Sequence, residues 1–247
     1  MKHTLTLISF LIVVLTGYSQ APVTGNEQII SLNYLDSSGN ITDDIRKRAF
    51  ISRTKKIDSI YRQDVYSFWG PLLSSKSFKD TSLNSLHGLA AFYTGGHIDS
   101  AGNFKENLKE GVWYFREGNK LVSRRFKEGN LFLENVSDSA KEITPKESIT
   151  KVAEFEGGYE GWRNYLVRNF RYPQRAKDID AQGTVVINFM IDKDGTLLSP
   201  YVGRSVEMSI DDEALRLIKR SPKWVPAEMD GRKVKCLFAQ PVTFRLQ

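Results

Sequence analysis

GTVVINFMIDKDGTLL, residues 183–198, is the stretch on which the fold turns. Val185, Ile187, Phe189 and Ile191 take alternate positions and make one apolar face, while Val186, Asn188 and Met190 make a mixed one. That period of two predicts a β-strand opened by Gly183. Asp192-Lys193-Asp194-Gly195 then reads as a hairpin turn into a second strand over Thr196 to Val202. The two aspartates also invite a calcium reading. An EF-hand loop, however, needs a glutamate at its twelfth position, where Gly203 stands.

Downstream, SIDDEALRLIKRSPKWVP predicts a helix with Ser209 as N-cap and Asp212 three residues on. Acids at 211–213 suit the positive helix end, and basic residues at 216, 219 and 220 suit the negative one. Ala214, Leu215 and Ile218 supply the buried stripe, Pro222 ends the helix, and Pro222-Lys223-Trp224-Val225-Pro226 makes a rigid crossing. Gly231 turns the chain into a final strand whose apolar face carries Val234, Cys236 and Phe238. This strand also carries Lys233, Lys235 and Arg245, with Pro241 inside it. Proline cannot donate to a sheet ladder, so the strand is expected at a sheet edge. An open edge offers unpaired backbone groups to an added strand.

Upstream, Gly157-Gly158 precedes a helical pattern in which Trp162, Leu166 and Phe170 recur every four residues, with Tyr165 beside them. Tyr172-Pro173 stops it, because the residue before proline is pushed out of helical geometry. A short helix from Pro173 to about Asp178 follows, with proline at its first position. The expected fold class of the C-terminal module is α+β, an antiparallel three-stranded sheet with two helices on one face.

The order FxGG, helix, YP, the strand–DxDG–strand hairpin, acidic helix, PxWxP and terminal edge strand resembles the TonB C-terminal domain in the form common in the Bacteroidetes. Phe155, Gly157, Gly158, Tyr172, Pro173, Gly183, Asp194, Gly195, Ala214, Pro222, Trp224, Pro226, Gly231, Pro241 and Phe244 carry the resemblance, and Glu156 departs from it where a proline is usual. The resemblance implies a domain that grips an extended receptor segment, the TonB box, by adding it to the sheet edge. By position, the gripping strand would be Val234, Lys235, Cys236, Leu237, Phe238 and Ala239, with nearby contacts from Asn169, Arg171, Tyr172 and Pro173. The implied partners are a TonB-dependent outer-membrane receptor and inner-membrane proton-motive-force motor proteins. A homodimer through the edge strand is a further expectation.

The first half of the chain repeats a spacing. Gly70 is followed by Leu73 and Phe78, Gly95 by Ile98 and Phe104, and Gly118 by Leu121 and Phe126. Glycine turns between such residues predict successive β-hairpins. GVWYFREGNKLVSRRFKEGN resembles the MORN-type repeat through Gly111, Trp113, Phe115, Gly118 and Gly129. A strand pair around SLNYLDSSGNITDD, with its turn at Ser38-Gly39-Asn40, joins the same mainly β domain. The expected domains are therefore a signal peptide at 1–20, a β-repeat domain at 21–133, a polar linker at 134–152 and a TonB-like domain at 153–247.

Composition is that of an ordinary globular chain, 40% apolar and 26% charged with a formal charge of +6. The basic residues are dispersed among acids, which gives no nucleic-acid footprint. Met1-Lys2-His3, an apolar run from Leu5 to Leu15 and a small-x-small exit at Gly17 and Ser19 predict export into the periplasm by a cleavable signal. The run is short for a membrane span, which needs ~20 residues. No cysteine follows the run, so a lipoprotein anchor is excluded. Cys236 is the single cysteine, so no intramolecular disulfide can form, and buried packing is its expected role. Beyond the leader only His87 and His97 remain, neither at metal-site spacing, and no nucleophile or phosphate-loop motif occurs. The expectation is a non-enzymatic binding protein without cofactor or metal. A linker of about 18 residues spans at most ~60 Å and has no proline-rich tract. The arm of a complete force transducer is thus not visible, which leaves two readings open, a soluble periplasmic binder and an anchored transducer. A third makes the repeats the main contact of an envelope scaffold, with the TonB-like unit only dimerising.

Overall fold

The computed structural model describes residues 27–118, 120–132 and 149–246. The expected signal peptide at 1–20 and residues 134–148 of the expected linker lie outside them.

Nine strands come first: β1 (Gln28–Leu35), β2 (Phe50–Ile57), β3 (Ile60–Ser67), β4 (Leu72–Phe78), β5 (Leu86–Thr94), β6 (His97–Lys105), β7 (Leu108–Glu117), β8 (Lys120–Lys127) and β9 (Asn130–Leu131). Each pairs antiparallel with the next. The repeat glycines stand before β4, β6 and β8, in loops at one end of the sheet. Gly95, Gly96 and Gly118 use positive φ there, which glycine supplies without steric cost. Trp113 lies flat on Gly102, where any Cβ would come within 2.4 Å of the indole. The ring is fully buried among Phe104, Phe115 and Phe126.

The C-terminal half supplies β10 (Ile149–Lys151), α1 (Gly158–Asn169), α2 (Gln174–Asp178), β11 (Gly183–Ile191) and β12 (Leu197–Arg204). After these come α3 (Met208–Arg220), β13 (Ala227–Met229), β14 (Arg232–Val234) and β15 (Cys236–Phe244). The predicted β11–β12 hairpin forms as expected, closed by Asp192 N–H on the Thr196 carbonyl at 2.9 Å. Asp194 binds Thr196 and the Lys223 ammonium, the latter at 2.6 Å, and so pins the PKWVP crossing to the turn. The Lys223 bond, helped by Thr196, holds the Asp194 carboxyl well below the usual carboxylate range.

Three expectations need correction. First, β12, β11 and β15 are not a free-standing three-stranded sheet. They end a twelve-stranded sheet whose main path runs β1-β2-β3-β4-β5-β6-β12-β11-β15. The joint is the pairing of Arg204 with His97, extended by Ser205 N–H on the Gly96 carbonyl at 2.8 Å. Gly96 permits it, since a Cβ there would sit 2.4 Å from the Ser205 carbonyl oxygen. Second, the last residues of the expected linker are structured. Ile149–Lys151 pairs with β13, and β10-β13-β14 form a second, three-stranded sheet. Third, Glu207 rather than Ser209 caps α3. Its carboxylate accepts from Ser209 N–H at 2.8 Å and from Arg175 at 2.6 Å. A glutamate is a poor N-cap from sequence alone; burial of Glu207 and its half-buried partner Arg175, remote in sequence, fix it here.

α3 ties the two halves together. Ile210, Ala214, Leu217 and Ile218 are fully buried, in one hydrophobic cluster with Val185, Ile187 and Phe189. The same cluster includes Ile51, Tyr66, Phe68, Leu72 and Tyr93 from the hairpin sheet, so the core is continuous. Polar groups complete the joint. Arg53, only 4% exposed, reaches Asp212 with two bonds of 2.5 and 2.9 Å and lies 3.7 Å from Asp64. Tyr93 Oη donates to the Val202 carbonyl at 2.7 Å, and Leu72 N–H donates to Ser205 Oγ at 2.7 Å. Arg175 also donates to the Phe68 carbonyl.

Candidate peptide-binding edge

β15 pairs with β11 over nine positions, from Gly183 against Phe244 to Ile191 against Cys236. Among the described residues it has no second strand neighbour, so its outer backbone edge is open. Alternation sets its two faces. Cys236, Val242 and Phe244 are buried beneath the helices, and Phe238 packs on Phe189 and Trp224 with ring centroids 5.7 and 5.1 Å away. Leu237 and Ala239 are half-buried on the opposite face, and Pro241 and Thr243 are exposed. Burial pushes the Cys236 thiol up, which keeps it protonated and suits a packing role.

The expected gripping segment is not one strand. Val234 belongs to β14 and is paired with Ala227, because Asp230 and Gly231, both at positive φ, fold β13 and β14 into a tight hairpin. Lys235 separates β14 from β15, so only Cys236, Leu237, Phe238 and Ala239 of the expected segment lie on β15.

The second expected group lies at the other end of that strand. Phe170 and Tyr172 pack on Phe244, at centroid distances of 4.9 and 5.8 Å. Along β15, Phe238 and Phe244 are separated by roughly 20 Å. Asn169, Arg171, Tyr172 and Pro173 therefore do not join the Cys236–Ala239 stretch in one patch; the two groups mark the ends of one edge. Several polar groups there are already used. Tyr172 Oη donates to the Ala181 carbonyl at 2.6 Å, and Arg171 N–H donates to Glu213 at 2.8 Å. Asn169 donates from its amide to the Tyr165 carbonyl at 2.8 Å and accepts at its own carbonyl from Arg216 at 2.5 Å. Desolvation pushes the Tyr172 phenol up, so it stays a donor.

Between these ends β15 continues through Gln240, Pro241 and Thr243, of which only Pro241 was singled out from the sequence. The signal was present: the alternation continues unbroken through QPVTF. A cavity of about 300 Å³ beside α1, bounded by Phe155, Tyr165, Arg168, Asn169 and Pro222, abuts the Asn169 end. Among the described residues no group of three or more His, Cys, Asp or Glu is placed to hold a metal.

Strands β11, β12 and β15 with helices α1 and α3 define a mixed α+β class of module. Within that class, residues 168–246 match the family model of the Gram-negative bacterial TonB protein C-terminal region. The match covers less than half of the chain and leaves out the hairpin strands β1–β9. No curated protein and no solved structure matches the chain. Among the described residues no helix is long and apolar enough to cross a membrane.

Proposed function

We propose that this protein is exported to the periplasm and binds an extended peptide by β-augmentation along β15, the peptide being a TonB-box-like segment of an outer-membrane receptor. The observation that carries the reading is the open edge of β15 inside the segment that matches the TonB C-terminal family. Main-chain hydrogen bonds would supply much of the affinity, and alternate peptide side chains would meet the two faces of the edge. Lys235 stands just before the strand and Arg245 just after it, which favours acidic groups near the peptide ends. The hairpin strands fit a MORN-like repeat serving as a rigid mount. On this reading the protein holds a receptor segment without catalysis, and contributes to energy-coupled transport together with inner-membrane motor proteins.

The test uses the whole chain from residue 21, because α3 shares its core with the hairpin strands. Receptor N-terminal peptides are titrated against isotope-labelled protein. Amide signals of Cys236 to Phe244 are expected to move first, and Ala239→Pro is expected to weaken binding at least tenfold. Unmoved β15 amides with every peptide would sink the proposal.

A further inference from the structure

The hairpin strands turn one face toward the helices and a second face away from them, and the second has one-sided chemistry. Directly opposed residues of neighbouring strands share a face. One row so defined runs Val65–Ser74–Phe92–Ser100–Phe115–Val122 across β3 to β8. The next row on that face runs Gln63–Lys76–Ala90–Gly102 across β3 to β6, and continues through Trp113, which lies on Gly102, to Arg124. Beyond it, Lys109 stands opposite Phe104 and Phe126 opposite Gly111. The alternate residues Ile51, Tyr66, Ala91 and Tyr93 point the other way, into the core to which α1, α2 and α3 all contribute. Among the described residues, then, the helices lie on the opposite side of the sheet.

Within β2–β8 this face carries five cations, Lys56, Lys76, Lys109, Lys120 and Arg124, against one carboxylate, Glu117. Arg124 engages Glu117 at 2.5 Å, which leaves Lys76 and Lys109 without an acid among the strand residues of their own face. The cations are seated on rings. Lys109 Nζ lies 4.6, 5.0 and 5.1 Å from the ring centroids of Trp113, Phe115 and Phe126, almost equidistant from all three. Arg124 lies 5.0 Å from the Phe115 ring, and Lys76 Nζ 6.0 Å from that of Phe92. A ring beneath a cation holds it in place and leaves its outer side free for an anion. Strands β3–β7 are each paired on both sides, so their backbone has no edge here for strand addition. Recognition on this face therefore falls to side chains: fixed cations, ring surfaces between them, and hydroxyls such as that of Ser100.

We propose that this face of the hairpin sheet binds an acidic polysaccharide, with Lys76, Lys109 and Arg124 on the sugar carboxylates and the surrounding rings against the C–H faces of the sugars. The charge surplus selects an anion. The lack of a free backbone edge disfavours an acidic peptide strand, which gains most of its affinity from main-chain pairing. An anionic bilayer is disfavoured too, because the rings are half-buried beneath the cations rather than protruding past them.

The test titrates the chain from residue 21 with oligogalacturonate, a neutral malto-oligosaccharide of equal length, oligoglutamate of equal charge, and phosphatidylglycerol vesicles. Calorimetry at low salt should show oligogalacturonate binding roughly tenfold tighter than any other probe, and weakening as salt is raised. The Lys76→Gln, Lys109→Gln double variant should lose about tenfold in affinity. The charge-matched pair Lys177→Gln, Lys193→Gln, exposed on α2 and on the β11–β12 turn, should stay within about twofold. Lys120→Glu guards against misfolding: it is exposed at the start of β8, so it should weaken binding while leaving the thermal midpoint unchanged. Failure of oligogalacturonate to bind, equal binding of the neutral sugar, or unaltered binding by the Lys76/Lys109 variant overturns the proposal. Preference for oligoglutamate overturns it in favour of an acidic protein segment, and preference for vesicles in favour of a bilayer. Binding of receptor peptides at β15 is read separately, so either site can fail without the other.

Discussion

Replacing Arg53 by alanine tests the claim that the hairpin strands and the C-terminal module share one core. The guanidinium is 4% exposed and bridges β2 to α3 through Asp212, with Asp64 close by. Removing one partner of a buried ion pair costs ~3–5 kcal/mol. Asp212 is 38% exposed, so water recovers part of its charge, and Arg53 Nε has no hydrogen-bond partner. Both points move the expected loss to about 3 kcal/mol. With a urea slope of ~3 kcal/mol/M for a chain of this size, the midpoint should fall by about 1 M. Peptide-resolved hydrogen exchange across the urea series gives the decisive readout. Amides of β2–β5 and of β11 and β15 should lose global protection together, in wild type and variant alike. Two separated transitions, or a shift confined to β2–β5, would refute the shared core.

Further outcomes follow from the same joint and from the hairpins. Asp211 is buried, accepts from Ser205 Oγ at 2.5 Å and Val206 N–H at 3.0 Å, and has its carboxyl pushed up to about 7, chiefly by burial. A raised folded-state value in an acid favours the protonated form. Its stabilisation is therefore complete below about pH 4 and is lost as pH rises through about 7. Thermal midpoints of wild type and Asp211→Asn should accordingly diverge between about pH 4 and 7, the wild type losing more; parallel profiles would contradict this. Gly102→Val should cost at least ~1–3 kcal/mol, since Trp113 cannot move off the backbone it covers, and calorimetry measures it.

Periodic elements were legible in the sequence. The alternation of Val185, Ile187, Phe189 and Ile191 and the four-residue recurrence of Trp162, Leu166 and Phe170 each match an observed element. So do the repeat glycines and the hairpin turn before Thr196. Elements whose identity rests on distant partners were not. Ser209 looked like a cap because its type and spacing fit, but Arg175 places Glu207 there. The gripping segment was drawn too early because nothing local shows that Val234 is paired with Ala227. The continuation of the strand through Gln240 and Thr243 was legible in the same alternation.

By itself the sequence determined local conformation, the apolar faces and the terminal position of a proline-bearing strand, because these depend on period, turn chemistry and the missing proline N–H. Only the tertiary structure decided that His97 meets Arg204 and that Arg53 reaches α3, which makes the two halves one body. It also decided that β15, among the described residues, stands at the end of the sheet's main strand path. An edge is defined by the strand that is not beside it, and neighbourhood among strands far apart in sequence is set by long-range packing.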